Sequence, residues 1–272
     1  MMRPRGQWRT TDMTNTSPLS FRIGRGVTRG LAVLGALMFA QSCAYNEELG
    51  RNQLLFVSQG QMAQLAGSAW TDLKQQEQVT TDPKYTSRVN RVAPRIIAAA
   101  GGNPDEWEVQ VFQSDQLNAF ALPGGKIGFY TGILDLMDND DQIAAVMGHE
   151  VAHVNFNHSG ERYSQSQAAQ TGLGLGSAVL GGSQSGALAM QALGLGVQGG
   201  VLLPFSRKHE LESDKFGVRY MHRAGYDANE AVTFWTKMAE QKSGNAPPEF
   251  LSTHPADSTR ITALQKEIAL LN

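Results

Sequence analysis

Two histidines four residues apart on a helix lie on one face, so their imidazole nitrogens can meet at a single metal ion. The chain has such a pair in the run His149-Glu150-Val151-Ala152-His153. Glu150 follows the first histidine directly, where its carboxylate can reach a water held by the metal and take its proton. Residue types and spacing therefore predict hydrolysis of a peptide bond at one Zn2+ ion. Three fixed positions are a moderately specific signal, and the rest of the chain must supply what such a site still needs. A catalytic zinc takes a third protein ligand and keeps a further position open.

The run from Arg207 to Asp214 leads into Phe216, Val218, Tyr220 and Met221 and reads as a second helix ending near Gly225. On it, Glu210 is the candidate third ligand. Asp214 lies one turn on along the same face, where it can accept a hydrogen bond from the far nitrogen of a ligand histidine and fix its tautomer. Glu212 points elsewhere, and His209 caps or packs. In the loop Ser252-Thr253-His254-Pro255, His254 directly precedes a proline. A histidine held in this way is positioned rather than incidental.

The elements around these residues follow from periodicity and punctuation. Asp138 or Asn139 can cap the metal helix, with Asp140 and Asp141 in its first turn, where the helix dipole favours acids. Ile143, Ala144, Val146, Met147, Val151 and Val154 supply its buried surface. A charged motif placed among such residues is costly unless its groups are ligated or paired, which favours a site. Upstream, apolar spacing predicts one helix from Glu47 to about Lys74. Tyr85, Val89, Val92, Ile96 and Ile97 outline a second, which contains Pro94 and stops at Gly101. Trp107 to Phe112 alternates like a strand, and Asn118–Pro123 and Lys126–Tyr130 flank the turn Gly124-Gly125 as a hairpin. Its edge either receives an extended substrate as an added strand or only supports the helix behind it. Helices are also expected from about 229 to 242 and from about 257 to 271.

From Tyr163 to Ser206 there is no charged residue, and the stretch holds ten glycines. It reads either as a helical hairpin of small residues packed on the core or as a lid over the active site. No apolar run in it is long enough to span a membrane. The formal net charge of −2 gives no reason to expect nucleic acid as a partner. The lone cysteine, Cys43, excludes an intramolecular disulfide. It follows six arginines in the first 29 residues and an apolar run from Gly30 to Ala40, which together describe a secretory signal peptide over residues 1–42. The cysteine after it resembles that of a bacterial lipoprotein, whose mature chain begins with the lipidated residue. Ala40 and Gln41 depart from the usual box, and an ordinary cleaved signal is the alternative. Residues 43–272 would then form one domain on the periplasmic side of the envelope, anchored to the outer membrane through Cys43.

The hairpin with its Pro-Gly-Gly turn, the two histidines around Glu150, Glu210 to Asp214, and Ser252 to Pro255 occur in this order. The set resembles the zinc metalloendopeptidase family that includes HtpX and the CAAX prenyl proteases, especially its soluble periplasmic lipoprotein branch. The resemblance covers Glu47 to the C-terminus, with Ser213 where the family has alanine. It implies His149, His153 and Glu210 as ligands of one zinc ion and Glu150 as general base. It also gives His254 a site role, either steadying the oxyanion or guarding the open metal position. His158 then serves the helix C-terminus, and His222 faces solvent or caps. The fold expected is α+β and mostly helical, with the metal helix backed by a small antiparallel sheet. Substrates implied by family and compartment are misfolded or unassembled envelope proteins. A latent protease, or a non-proteolytic chaperone for outer-membrane proteins, is the alternative.

Overall fold

The computed structural model describes residues 43–168, 203–241, 250, 254 and 258–271. The expected signal peptide and most of the uncharged stretch, residues 169–202, lie outside the described residues. The architecture is α+β and mostly helical.

The N-terminal part departs from the expected single helix. Strands β1 (Cys43–Asn46) and β2 (Arg51–Leu54) form an antiparallel hairpin with Cys43 opposite Leu54. Gly50 closes it at φ +63°, a conformation that suits glycine. On β2 the inward residues are polar, because Arg51 and Gln53 are buried. Apolar spacing does not register a strand whose buried residues are polar, which is why it predicts one helix across this hairpin. Helix α1 (Gln59–Gln76) begins only after Ser58, which forms a capping box with Gln61.

Helix α2 (Pro83–Ala99) starts at Asp82, whose side chain accepts from the Lys84 N–H. It buries Tyr85, Val89, Val92, Ile96 and Ile97, and Pro94 does not end it. Strands β3 (Glu108–Phe112), β4 (Ala119–Leu122) and β5 (Lys126–Tyr130) form one sheet in the order β3-β5-β4. The hairpin β4–β5 is antiparallel as expected, with Ala121 opposite Ile127. Strand β3 joins its other side in parallel, Val109 opposite Ile127, so the sheet is mixed rather than wholly antiparallel. Alternation fixes which face a strand buries but not which neighbour it takes. Gly124 and Gly125, at φ +83° and +73°, make the turn and leave β4 at an edge.

After the short α3 (Thr131–Leu136) comes α4 (Asp140–Asn155), the helix carrying the two spaced histidines. Asn139 caps it by accepting from the Gln142 N–H, and Asp140 and Asp141 occupy its first turn. Every residue from Gln142 to Ala152 is buried, so this helix is covered on all sides. Residues 158–168 are helical. Helix α5 (Leu203–Arg223) lies across α4, followed by α6 (Asn229–Glu240) and α7 (Ser258–Ala269). Phe234, Trp235, Met238, Leu264 and Ile268 bring the last two helices into the same core.

The α4–α5 crossing is backbone against backbone. A Cβ on Gly148 would stand 2.8 Å from the Gly217 carbonyl oxygen, and one on Gly217 would stand 2.8 Å from the His149 nitrogen. Only two glycines permit this approach. It sets Glu210 and Asp214 of α5 beside His149 of α4.

Candidate active site

The structure brings all six sequence-predicted site residues together. His149 Nε2 and His153 Nε2 are 3.1 Å apart. Glu210 reaches both, Oε2 lying 3.3 Å from His149 Nε2 and Oε1 3.3 Å from His153 Nε2. His254 Nδ1 is 3.1 Å from Glu210 Oε1 and 3.3 Å from His149 Nε2. The donor atoms of these four residues all lie within 4.8 Å of one another, the group of this kind found among the described residues.

The protons explain what such a cluster can hold. His149 Nδ1 is 2.9 Å from Asp214 Oδ1, and an ionised carboxylate only accepts, so the ring donates there. Its Nε2 is left with a lone pair aimed at the cluster. The carboxylate of Glu210 adds more lone pairs at the same point. Donors converging in this way repel one another unless a cation or a proton lies between them. Two imidazoles and a carboxylate suit zinc, and tetrahedral ligands at zinc distances stand about 3.3 Å apart, close to the spacings here. The residues fit a metal ion.

Electrostatics agree. Burial opposes charge on His149, but the hydrogen bonds to Asp214 and Glu210 outweigh it and raise its pKa to about 9. Burial holds His153 well below its ordinary value. Burial also opposes ionisation of Glu210, yet the neighbouring His254, His149 and His153 keep its pKa well below the usual carboxylate range. Asp214 is buried too, and Arg260 keeps it ionised at a lowered pKa.

Glu150 stands apart from the donors. Burial raises its pKa above the ordinary carboxylate value, the direction a general base working near neutral pH requires. Its Oε2 accepts from the Ala121 N–H of β4 at 3.0 Å. Its Oε1 is buried without a hydrogen-bond partner among the described residues, 3.4 Å from His254 Nε2. One oxygen is thus anchored by the sheet edge while the other is available to a water or substrate.

Some contributors had no signal in the sequence. Arg260 on α7 donates to both oxygens of Asp214, at 2.7 and 2.6 Å. Its Nη1 lies 3.0 Å from Glu210 Oε2, and its guanidinium covers the Trp235 ring at 4.0 Å. An arginine on an amphipathic helix reads as surface, and only the fold turns it inward. The Ala121 N–H is a backbone group that no side-chain pattern reveals. His158, expected to serve the helix C-terminus, instead places Nδ1 3.1 Å from His153 Nδ1. His209 packs as expected, its ring stacked on His158 at 4.4 Å, and Glu212 turns away from the cluster to Arg51.

Comparison with known proteins adds a second, independent line. The chain is 40% identical over 189 residues to the mitochondrial metalloendopeptidase OMA1 of Schizosaccharomyces pombe, covering 68% of this chain and 54% of that protein. It is 29% identical over 229 residues to the beta-barrel assembly-enhancing protease of Escherichia coli, covering 82% and 47%. With the mitochondrial metalloendopeptidase OMA1 of Danio rerio it shares 31% identity over 261 residues, covering 89% and 54%. The chain spans about half the length of these relatives. The model of peptidase family M48 matches residues 83–268, a range that holds α4, the sheet, Glu210, His254 and Arg260. By that match, and by the donor cluster it encloses, the chain belongs to peptidase family M48.

Proposed function

We propose that the chain is a zinc-dependent endopeptidase in which His149, His153 and Glu210 hold the ion. The observation that carries this reading is the convergence of their donor atoms beside a buried Glu150 oxygen that accepts no hydrogen bond among the described residues. When bound, zinc would supply Lewis acidity, polarising the scissile carbonyl and lowering the pKa of water. Glu150, oriented by Ala121, takes the proton from the attacking water and passes it to the leaving amine. Asp214 and Arg260 hold His149 and Glu210 in place.

The outer edge of β4 suits an extended substrate, since Ala121 already directs its N–H away from β5 to Glu150. His254 has its Nδ1 among the donors, which favours the guarding role over oxyanion stabilisation. The imidazole then restricts access to the open metal position and lowers the basal activity.

Polypeptides of the bacterial cell envelope are the proposed substrates, and a lipid on Cys43 the proposed anchor on the periplasmic side of the outer membrane. The bacterial relatives are named for beta-barrel assembly, which is the ground for this proposal, while other relatives are named as mitochondrial. Among the described residues, no helix is long and apolar enough to cross a membrane. The alternative, a non-proteolytic assembly factor, would have no use for Glu150.

The test compares cleavage of casein by the zinc-loaded chain with and without Glu150→Gln, with His254→Ala as a parallel background. Cleavage that falls by at least about a hundredfold with zinc retained supports the reading. Equal cleavage by both forms refutes the role of Glu150. Inactivity in every background, with zinc bound, favours the assembly factor.

A further inference from the structure

Behind His153, on the side away from Glu210, lies a buried chain of polar groups that the proposed chemistry does not use. It begins at the 3.1 Å contact between His153 Nδ1 and His158 Nδ1. The other nitrogen of His158 lies 3.2 Å from Glu212 Oε2, an oblique approach that forms no well-aligned hydrogen bond. Glu212 in turn is gripped by Arg51, Nε to Oε1 at 2.6 Å and Nη2 to Oε2 at 2.7 Å. The same guanidinium holds Glu161 through two further bonds of 2.7 and 2.9 Å. Arg51, His158 and Glu161 are all buried.

Proton placement runs along this chain in one direction. Two facing Nδ1 atoms cannot both carry lone pairs, and they cannot both carry protons. One must donate. Arg51 keeps Glu212 an acceptor, so the His158 proton belongs on Nε2, facing Glu212. His158 Nδ1 is then the acceptor, within reach of both His153 Nδ1 at 3.1 Å and the Ser213 hydroxyl at 3.3 Å, and His153 Nδ1 is a donor to it. That leaves the His153 Nε2 lone pair directed at Glu210 and His149. A buried arginine between two carboxylates is weak evidence for stability, because its desolvation offsets much of the pairing. Holding a proton in one place is something an apolar replacement could not do.

We propose that Arg51 is a positioning residue for the metal site, acting through Glu212 and His158 to fix the His153 tautomer that offers Nε2 to the metal. The inference rests on His153 being a ligand, as proposed above. It extends the site into the hairpin β1–β2, which precedes the residues 83–268 matched by the family model.

Zinc affinity by chelator competition, with thermal melting of the metal-free chain alongside, tests this in wild type, His158→Phe, His158→Asn and Arg51→Met. Phenylalanine keeps the stacking on His209 but removes the acceptor, and affinity is expected to fall about 10- to 100-fold. Asparagine restores an acceptor near the Nδ1 position, and affinity is expected to return to within about threefold of wild type. Arg51→Met should weaken binding about tenfold. Since it leaves the buried Glu161 and the half-buried Glu212 without their shared arginine and can fail to fold, Arg51→Lys, which keeps the charge without the fork, is measured beside it and should weaken binding severalfold.

A purely structural role predicts lower melting temperatures with zinc affinity unchanged, and that result overturns the proposal. So does an equal loss for the phenylalanine and asparagine variants. Full affinity in folded Arg51 variants, with loss in His158→Phe, removes Arg51 from the chain. A wild type that binds no zinc refutes the ligand reading itself, a different failure from any of these.

Discussion

At the scale of single residues, the site works by assigning each proton to one atom. Asp214 draws the His149 proton to Nδ1 at 2.9 Å, and Arg260 keeps Asp214 an acceptor. Replacing Asp214 with asparagine keeps the size but weakens that pull and leaves the Arg260 guanidinium short of a countercharge. Zinc affinity is expected to drop about 10- to 100-fold, measured by competition with a chelator of known affinity. His254→Ala separates its two roles by sign. If the imidazole guards the metal position, the alanine form cleaves casein severalfold faster than wild type; an oxyanion role predicts slower cleavage. The guarding geometry, Nδ1 3.1 Å from Glu210, predicts the increase. The donors and Glu150 were legible because chemistry restricts their identities and helix geometry restricts their spacing. Arg260 and His158 were not, since nothing local distinguishes a buried arginine or histidine from an exposed one.

Among the elements, the crossing of α4 and α5 decides whether the two halves of the site meet. Gly217→Ala adds a Cβ that would meet the backbone of His149 at 2.8 Å, and backbone cannot swing aside as a flexible side chain can. The substitution should destabilise by about 1–3 kcal/mol despite alanine's better helix propensity. The control is Gly67 on α1, where an added Cβ would have nothing within 4 Å; alanine there should stabilise by about 0.5–1 kcal/mol. Thermal melts of the two variants should therefore shift in opposite directions, and a shared sign would contradict the account of the crossing. Gly148 and Gly217 carry no motif of their own, so the close approach became visible only once both helices were in place. The hairpin β4–β5 was legible from its turn residues. The hairpin β1–β2 was not, because its buried residues are the polar Arg51 and Gln53.

For the whole molecule, the ion network around Arg51 ties the N-terminal hairpin to Glu161 of the helical residues 158–168 and to Glu212 of α5 and makes the fold sensitive to acid. Glu161 is buried, which opposes its ionisation, but His209, Arg51 and Gln53 together hold its pKa far below the ordinary glutamate value. A carboxylate lowered on folding contributes stability above its unfolded pKa, about 4.3, and loses it as pH falls below that value. The melting temperature of the metal-free chain should hold between about pH 5 and 7 in respect of this group and fall on further acidification. Glu161→Gln should be less stable at pH 7 by about 3 kcal/mol, and its melting temperature should show a flatter acid limb. Parallel acid limbs in the two forms would show that Glu161 is not a source of the acid sensitivity.

The mostly helical α+β class was legible in the sequence because α2, α4 and β4–β5 carry clear periodicity and punctuation. The parallel partner of β3 was not, since strand pairing depends on elements far apart in the chain. Most directly, the central claim is tested by the metal content of the purified chain, wild type beside His153→Ala and Glu210→Ala, after dialysis against zinc and then against metal-free buffer. The account predicts one zinc per wild-type chain and a large loss in both variants. A wild type without bound zinc, or variants that retain it fully, would contradict the assignment of these residues as a metal site.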